Sequence, residues 1–228
     1  MDVFGQALSD YYFKREGILW LHNSYDEPEE MPVDVFFREE ADMQELELLA
    51  LDYCEGKILD VGAGVGCMAL PLQNSGKEVT ALELNPTACS LMKQRGVRRV
   101  INSNIFNYHD HSYNTLLLMM NGIGLAGTVE GLRRFLKVAG NLLEPGGRII
   151  FDSSDISYLY EENVLPADRY YGQISYRYEY NANLGPWFNW LYIDWHTMDR
   201  ISAAEGWQFH LLYQDDNQQY LGALVQKT

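Results

Sequence analysis

The stretch that most constrains this chain runs from Lys57 to Gly66, Lys-Ile-Leu-Asp-Val-Gly-Ala-Gly-Val-Gly. Ile58, Leu59 and Val61 form a short apolar run of the kind a parallel sheet buries on both faces. Gly62, Gly64 and Gly66 interrupt it, and a helix-compatible segment starts at about Val65. Without a Cβ, such a loop turns tightly and lets a ligand come close to the backbone, with a helix N-terminus behind it. Strand, glycine loop and helix together predict a nucleotide-binding turn; a plain strand-to-helix turn is the alternative. The spacing narrows the ligand. A dinucleotide fold uses Gly-x-Gly-x-x-Gly or Ala, whereas here the third glycine comes one residue early and Cys67 fills the slot reserved for a small residue. An acid, Asp60, stands two residues before the first glycine.

The rest of the chain alternates strands and helices. Glu78–Leu82 reads as a strand ending at Glu83, and Asn85-Pro86 as an N-cap followed by proline at the first helical position. That helix stops at Gly96. Val97–Ile101, Thr115–Met120 and Arg148–Asp152 read as further strands, with an amphipathic helix from Val129 to Leu143 before the last. Met68 to Asn74 continues the helix after the glycine loop, where Pro71 predicts a kink or an early stop. A helical period also covers Glu39 to Tyr53. Alternating elements of this kind predict an α/β fold: a Rossmann-like, doubly wound, mostly parallel sheet with helices on both faces. The end differs. Ile174–Tyr180 and Trp187–Ile193 predict an inserted β-hairpin, and Gln208–Tyr213 with Gln219–Gln226 an antiparallel closing hairpin after a helix over 197–205. The expected organisation is an acidic, aromatic N-terminal flank or lid over 1–56, a core over 57–155, the insertion over 156–195, and a final helix and hairpin over 196–228.

Charge and cysteine content exclude some classes. The net charge is −15, and residues 1–55 carry three basic against fifteen acidic side chains, which leaves only about −3 for the remainder. An acidic N-terminal section repels phosphate backbones, so nucleic acid is not an expected partner; a solvated acidic face is its plainest use. Cys54, Cys67 and Cys89 show no Cys-x-x-Cys and no metal spacing, which predicts reduced thiols, a cytoplasmic setting and no metal. No apolar stretch is long enough for a membrane span.

The pattern Asp60-x-Gly62-x-Gly64-x-Gly66, in this strand order and with a closing hairpin, resembles the class I S-adenosylmethionine-dependent methyltransferases over roughly residues 57–228. The resemblance implies S-adenosyl-L-methionine as cofactor and S-adenosyl-L-homocysteine as product. Its cofactor residues map onto Asp60, Gly62, Ala63, Gly64 and Gly66, onto Glu83 and Leu84 at the end of the second strand, and onto Asn104 and Ile105 after the third. Asn121 stands where the family places a residue beside the methionine part and the acceptor. Glu83, 21 residues after Gly62, is implied to accept both ribose hydroxyls. The family usually has an acid where Asn104 stands, contacting the adenine amine, and often an Asp where Asn114 stands; both are departures. Phe37 and Arg38 resemble a segment that covers the cofactor, with Arg38 near its carboxylate; an ion pair flanking the helix is the alternative.

Methyl transfer from a sulfonium asks the protein to exclude water and align the partners, and a protic acceptor can also need a base. The catalytic group is unknown from sequence. Asp152 and Asp155 after the fifth strand, with His109, His111 and His196, are weak candidates, since strand-end acids and isolated histidines mostly serve structure. The Asp/Asn-Pro-Pro-aromatic motif of exocyclic-amine methylation is missing, which with the charge argues against base methylation in DNA; a small-molecule acceptor is preferred. The insertion, with Tyr176, Tyr178, Tyr180, Trp187, Phe188, Trp190, Tyr192 and Trp195, reads as an acceptor pocket, as packing against the sheet, or as a homodimer contact. Two other functional classes stay open: an enzyme of the same fold that uses the cofactor otherwise, as in aminopropyl transfer, and a non-enzymatic cofactor-binding protein.

Overall fold

A computed structural model describes residues 2–110, 112–160 and 165–227. The first elements are α1 (Val3–Tyr12), β1 (Leu19–Asn23), β2 (Glu29–Glu30) and α2 (Glu45–Tyr53). The core follows as β3 (Lys57–Val61), α3 (Ala69–Asn74), β4 (Glu78–Glu83), α4 (Pro86–Arg95), β5 (Val100–Asn102), β6 (Tyr113–Leu118), α5 (Val129–Leu142) and β7 (Leu143–Ser154). The chain ends with β8 (Gln173–Tyr180), β9 (Asn183–Leu184), β10 (Phe188–Leu191), α6 (Trp195–Ala204), β11 (Trp207–Gln214) and β12 (Gln219–Gln226).

One sheet has the order β11-β12-β7-β6-β3-β4-β5. β7, β6, β3, β4 and β5 run parallel, while β12 is antiparallel to both β7 and β11. This is the expected Rossmann-like α/β architecture. The core strands are apolar on both faces because both are covered. Ile58, Leu117 and Ile150 face Leu46 of α2, Leu72 of α3 and Met92 of α4. Leu59, Leu116 and Ile149 face Phe135 and Leu136 of α5 and Ile201 of α6. The side-chain period of two sends neighbouring residues of one strand to opposite layers.

Local chemistry explains where elements begin and end. The Asn85 side chain accepts from the Ala88 amide (2.9 Å), Pro86 occupies the first turn, and Gly96 closes α4 at φ +101°. The period over 39–53 is broken. A short 3₁₀ turn (Glu40–Asp42) precedes α2, because the Gln44 amide donates to Glu47 (3.1 Å) in a capping box that starts the helix afresh. α3 stops early, after six residues, and Pro71 lies in its first turn, where a missing N–H leaves no bond unmade. Asn114, at a family departure, serves the sheet; its Oδ1 accepts from the Lys57 amide (2.9 Å).

The second sheet, with the order β10-β8-β1-β2 and β9 beside β8, is antiparallel throughout. The expected pairing of the two insertion strands is present as β8 with β10. What the sequence did not announce is that β1 of the N-terminal flank lies along β8, with Leu21 opposite Tyr178. Alternation then sends Leu19, Leu21, Tyr176, Tyr178, Phe188 and Trp190 to one face. Trp187, half exposed under the Arg177 guanidinium, lies on the other side from Phe188. All three cysteines are buried and free. Among the described residues, no helix is long and apolar enough to cross a membrane.

Candidate active site

The carboxyl ends of β3, β4, β6 and β7 meet beneath the inner face of the second sheet. At the end of β3 the chain turns through Gly62 (φ +72°), Gly64 (φ +55°) and Gly66 (φ +92°), conformations that L side chains rarely adopt. A Cβ at Gly62 or Gly64 would meet nothing within 4 Å, whereas one at Gly66 would strike Val97 of the α4 end. The first two glycines therefore open the loop to a ligand, and the third lets it pack on the helix. Their amides are already used. Gly62 and Ala63 both donate to the Leu82 carbonyl (2.9 and 3.2 Å), and Gly64 donates to Glu83 Oε2 (2.9 Å).

Glu83 ends β4 beside this loop. Its Oε1 also accepts from the Asn85 amide (2.7 Å), so one carboxylate joins the glycine loop to the start of α4. Burial pushes its pKa up while these amide bonds pull it back. Asp60 is 2% exposed and its Oδ2 has no hydrogen-bond partner. Burial and the nearby Glu83 charge raise its pKa to about 7. A buried acceptor left unpaired is costly, so Asp60 is suited to a donor or cation supplied from outside the chain. Leu84 is 64% exposed next to Glu83. Asn104 uses Oδ1 to accept from the Phe106 amide (2.9 Å), and Ile105 is buried beneath it.

The loop after β6 is held from two sides. Met120 and Asn121 both have positive φ (+66° and +51°). Asp152, 1% exposed, accepts from the Asn121 and Gly122 amides (2.8 and 3.2 Å) and from Gln219 Nε2 (3.0 Å). From above, Trp190 Nε1 donates to the Asn121 carbonyl (3.1 Å), with its indole against Gly124, where a Cβ would collide. Ser154 Oγ donates to Asn121 Oδ1 (2.8 Å). Asp152, a candidate base by sequence, is thus occupied with fastening this loop. Burial raises its pKa to about 6 against the pull of those hydrogen bonds. Strand pattern alone did not single out Trp190 for fastening this loop; an indole on a strand facing a Gly-x-Gly loop was the available signal.

The other candidates are scattered. Asp155 accepts from Tyr171 Oη (2.7 Å) and the Ser157 amide (2.9 Å). His196 is exposed on α6 with its ring stacked on Trp195, and His109 is exposed after β5. His111 lies outside the described residues. Arg38 Nη2 is paired with Glu47 Oε1 (2.6 Å) and its Nε donates to the Val35 carbonyl (3.0 Å), so the structure shows the ion pair. Phe37 does pack at the loop, with Arg95 donating to both the Phe37 and Val65 carbonyls. The N-terminal flank closes this side: Asp2 accepts from Asn85 Nδ2 (2.7 Å) and Thr87 Oγ1 (2.8 Å), and Phe4 of α1 stacks on Tyr178 (4.8 Å).

An acid-tipped glycine loop, a second acid one strand over and an antiparallel closing hairpin define the Rossmann-like methyltransferase class. A methyltransferase domain model matches residues 59–151. The crystal structure of an S-adenosylmethionine-dependent methyltransferase from Bacteroides fragilis, in complex with S-adenosyl-L-homocysteine, is 36% identical with a TM-score of 0.91, over 100% of this chain and 95% of that one. The chain belongs to the class I S-adenosylmethionine-dependent methyltransferase family. The CcbJ methyltransferase of Streptomyces caelestis shares the fold, with a TM-score of 0.63 at 13% identity over 80% of this chain and 88% of that one. Among curated proteins, a demethylmenaquinone methyltransferase of Tropheryma whipplei is 27% identical over 100 residues, 41% of this chain. That match spans only 40% of the relative's length.

Proposed function

We propose that this chain binds S-adenosyl-L-methionine in the cleft between the glycine loop and Glu83 and directs its methyl group to a small-molecule acceptor under the second sheet. The observation that carries the reading is the pair of fixed carboxylates around an open glycine loop. Asp60 has a buried oxygen without a partner, and Gly62 and Gly64 face open space. These residues fit the cofactor. Asp60 and the loop would hold its methionine part, Glu83 its ribose hydroxyls, and Leu84, Asn104 and Ile105 its adenine. When bound, the cofactor supplies an electrophilic methyl on a sulfonium.

The chain's own residues do the rest. Asp152 and Trp190 fix the Asn121 loop at the mouth between cofactor and acceptor. The aromatic second sheet covers the space beneath it and keeps water out, which strengthens the electrostatic interactions within. Calorimetric titration with S-adenosyl-L-methionine, S-adenosyl-L-homocysteine and NAD tests the reading. The first two are expected to bind and NAD not to; comparable NAD binding overturns it.

A further inference from the structure

The inner face of the second sheet is unusually rich in phenols where it roofs the cleft. Tyr176 Oη donates to Tyr192 Oη (3.3 Å), and Tyr25 lies near enough to Tyr176 for the two phenols to influence each other. Tyr178 lies next on β8, its ring 5.3 Å from that of Phe188, whose ring is 6.3 Å from that of Trp190. These rings sit above the reacting end of the cleft, because Trp190 bonds Asn121 and Tyr178 lies close enough to Glu83 to feel its charge.

The charges acting most on this roof are negative. Burial comes first in raising each phenol, and then Glu29 acts on Tyr25 and Tyr192, Glu83 on Tyr178 and Asp152 on Tyr192. Glu29 faces the same way, since it pairs with Leu21 across β1 and β2, and it is exposed at the rim. The basic side chains near the cleft lie elsewhere. Arg38 and Arg95 are at the glycine-loop side, and Arg177 is on the outer face against Trp187. Ring faces attract cations, phenol oxygens accept from N–H, and a negative rim raises the local concentration of cations. Among the described residues, no basic side chain is hydrogen-bonded to these phenols, so an anionic acceptor finds no counter-charge at them.

Building on the cofactor reading above, we propose that the tyrosine roof receives a small primary or secondary aliphatic amine, which arrives as its ammonium ion and is methylated on nitrogen. The ammonium gives up one proton to solvent, and the positive charge of a neighbouring sulfonium favours that loss. The freed lone pair then forms the N–CH₃ bond as the S–CH₃ bond breaks, with that bond's electron pair remaining on sulfur. The product leaves as the N-methylammonium ion, and the cofactor as S-adenosyl-L-homocysteine.

The test uses four probes on one hydrocarbon frame: cyclohexylamine, N-methylcyclohexylamine, cyclohexanol and cyclohexanecarboxylate. Each is titrated calorimetrically into the full chain saturated with S-adenosyl-L-homocysteine, and each is assayed for labelled-methyl transfer. The amines are expected to bind roughly tenfold or more tighter than the alcohol and the carboxylate, and to be the ones methylated. Glu29→Gln, at an exposed position, should weaken amine binding about three- to tenfold, and Tyr192→Leu about three- to thirtyfold. Both should leave S-adenosyl-L-homocysteine affinity unchanged. Equal or tighter binding of the alcohol or carboxylate, or no binding of either amine, overturns the proposal. Failure of S-adenosyl-L-homocysteine itself to bind sinks the cofactor reading instead, so the two are separated.

Discussion

Glu83 fastens the glycine loop to the start of α4 and is proposed to receive the ribose, and its substitution tests both. Each carboxylate oxygen accepts one amide, from Gly64 and from Asn85, and on the proposed reading the remaining lone pairs take the ribose hydroxyls. Glu83→Gln keeps the shape but offers one acceptor oxygen, so one backbone amide faces an NH₂ group. Cofactor affinity is expected to fall about 10- to 150-fold, equivalent to roughly 1.5–3 kcal/mol for a charge-assisted bond. The lost amide bond should also lower the ligand-free melting temperature by about 2–6 °C. Titration measures the first and thermal melting the second; unchanged affinity in a folded variant removes Glu83 from the ribose site. Asp60 sets a pH dependence. Its folded pKa, about 7, lies above the ordinary 3.8, so the folded protein holds this proton more tightly than the unfolded chain does. Its contribution to ligand-free stability is therefore present at low pH and declines as pH rises through the window from about 4 to 7. Binding of a cation there favours the charged form, so S-adenosyl-L-methionine affinity should rise from pH 5.5 to 8. Asp60→Asn should flatten that rise, read by titration across the range. These positions were legible because the glycine spacing and the strand-end acid are local patterns; the opposing tasks of Asp60 and Glu83 are not, since burial and amide contacts arise only in three dimensions.

Among elements, the parallel core was readable because each strand is a continuous apolar run bounded by its own punctuation, such as Gly56, Gly76 and Gly96. The second sheet was half readable. β8 and β10 are close in sequence and alternate visibly, but β1 is a five-residue strand about 150 residues away from its partner. No local pattern encodes such a pairing, which the tertiary fold decides. The Asn121 loop was hidden for a similar reason. Its left-handed residues are stabilised by Asp152 from β7 and Trp190 from β10, elements far from it along the chain. That clamp makes a prediction at the element scale. Trp190→Phe retains most of the ring area over Gly124 and deletes the N–H to the Asn121 carbonyl, a bond worth about 0.5–1.5 kcal/mol. S-adenosyl-L-homocysteine affinity should change less than about threefold, since the glycine loop and Glu83 are untouched, while methyl transfer falls by about tenfold or more through misplacement of the loop. A proportionate loss of cofactor affinity would instead place the clamp within the cofactor site.

The whole molecule is two sheets of unequal anchorage. The seven-stranded sheet is sandwiched between apolar layers, with Ile58, Leu59, Leu116, Leu117, Ile149 and Ile150 all at 0% exposure. The second sheet has one packed face and one wet face, and its β2 edge is two exposed glutamates long. Its polar ties to the core include the Trp190 bond to Asn121, the Val129 amide to Gln173 Oε1 (2.9 Å), the Ile193 amide to Ser153 Oγ (3.0 Å), Tyr220 Oη to the Ile193 carbonyl (2.9 Å), and the Asp2 carboxylate on Asn85 and Thr87 at the start of α4. Opening of a structure follows its weakest set of contacts, in cooperative units whose free energies lie below that of global unfolding. The N-terminal segment and the roof should therefore open together, because β1 is hydrogen-bonded between β2 and β8 and cannot leave alone. Hydrogen exchange on the ligand-free protein is expected to show the slowest amides in β3, β6 and β7. Those of α1, β1 and β8 should form a faster group sharing one opening free energy. S-adenosyl-L-homocysteine should slow that group, since Asp2 and Phe4 of the flank close on the same α4 start and Tyr178 that border the cofactor cleft. Asp2→Asn, which weakens the latch without touching either sheet, should speed exchange in α1, β1 and β8 together and leave β3 unchanged. Uniform protection across both sheets, or acceleration of β3 by Asp2→Asn, would show that the roof and the core open as one body.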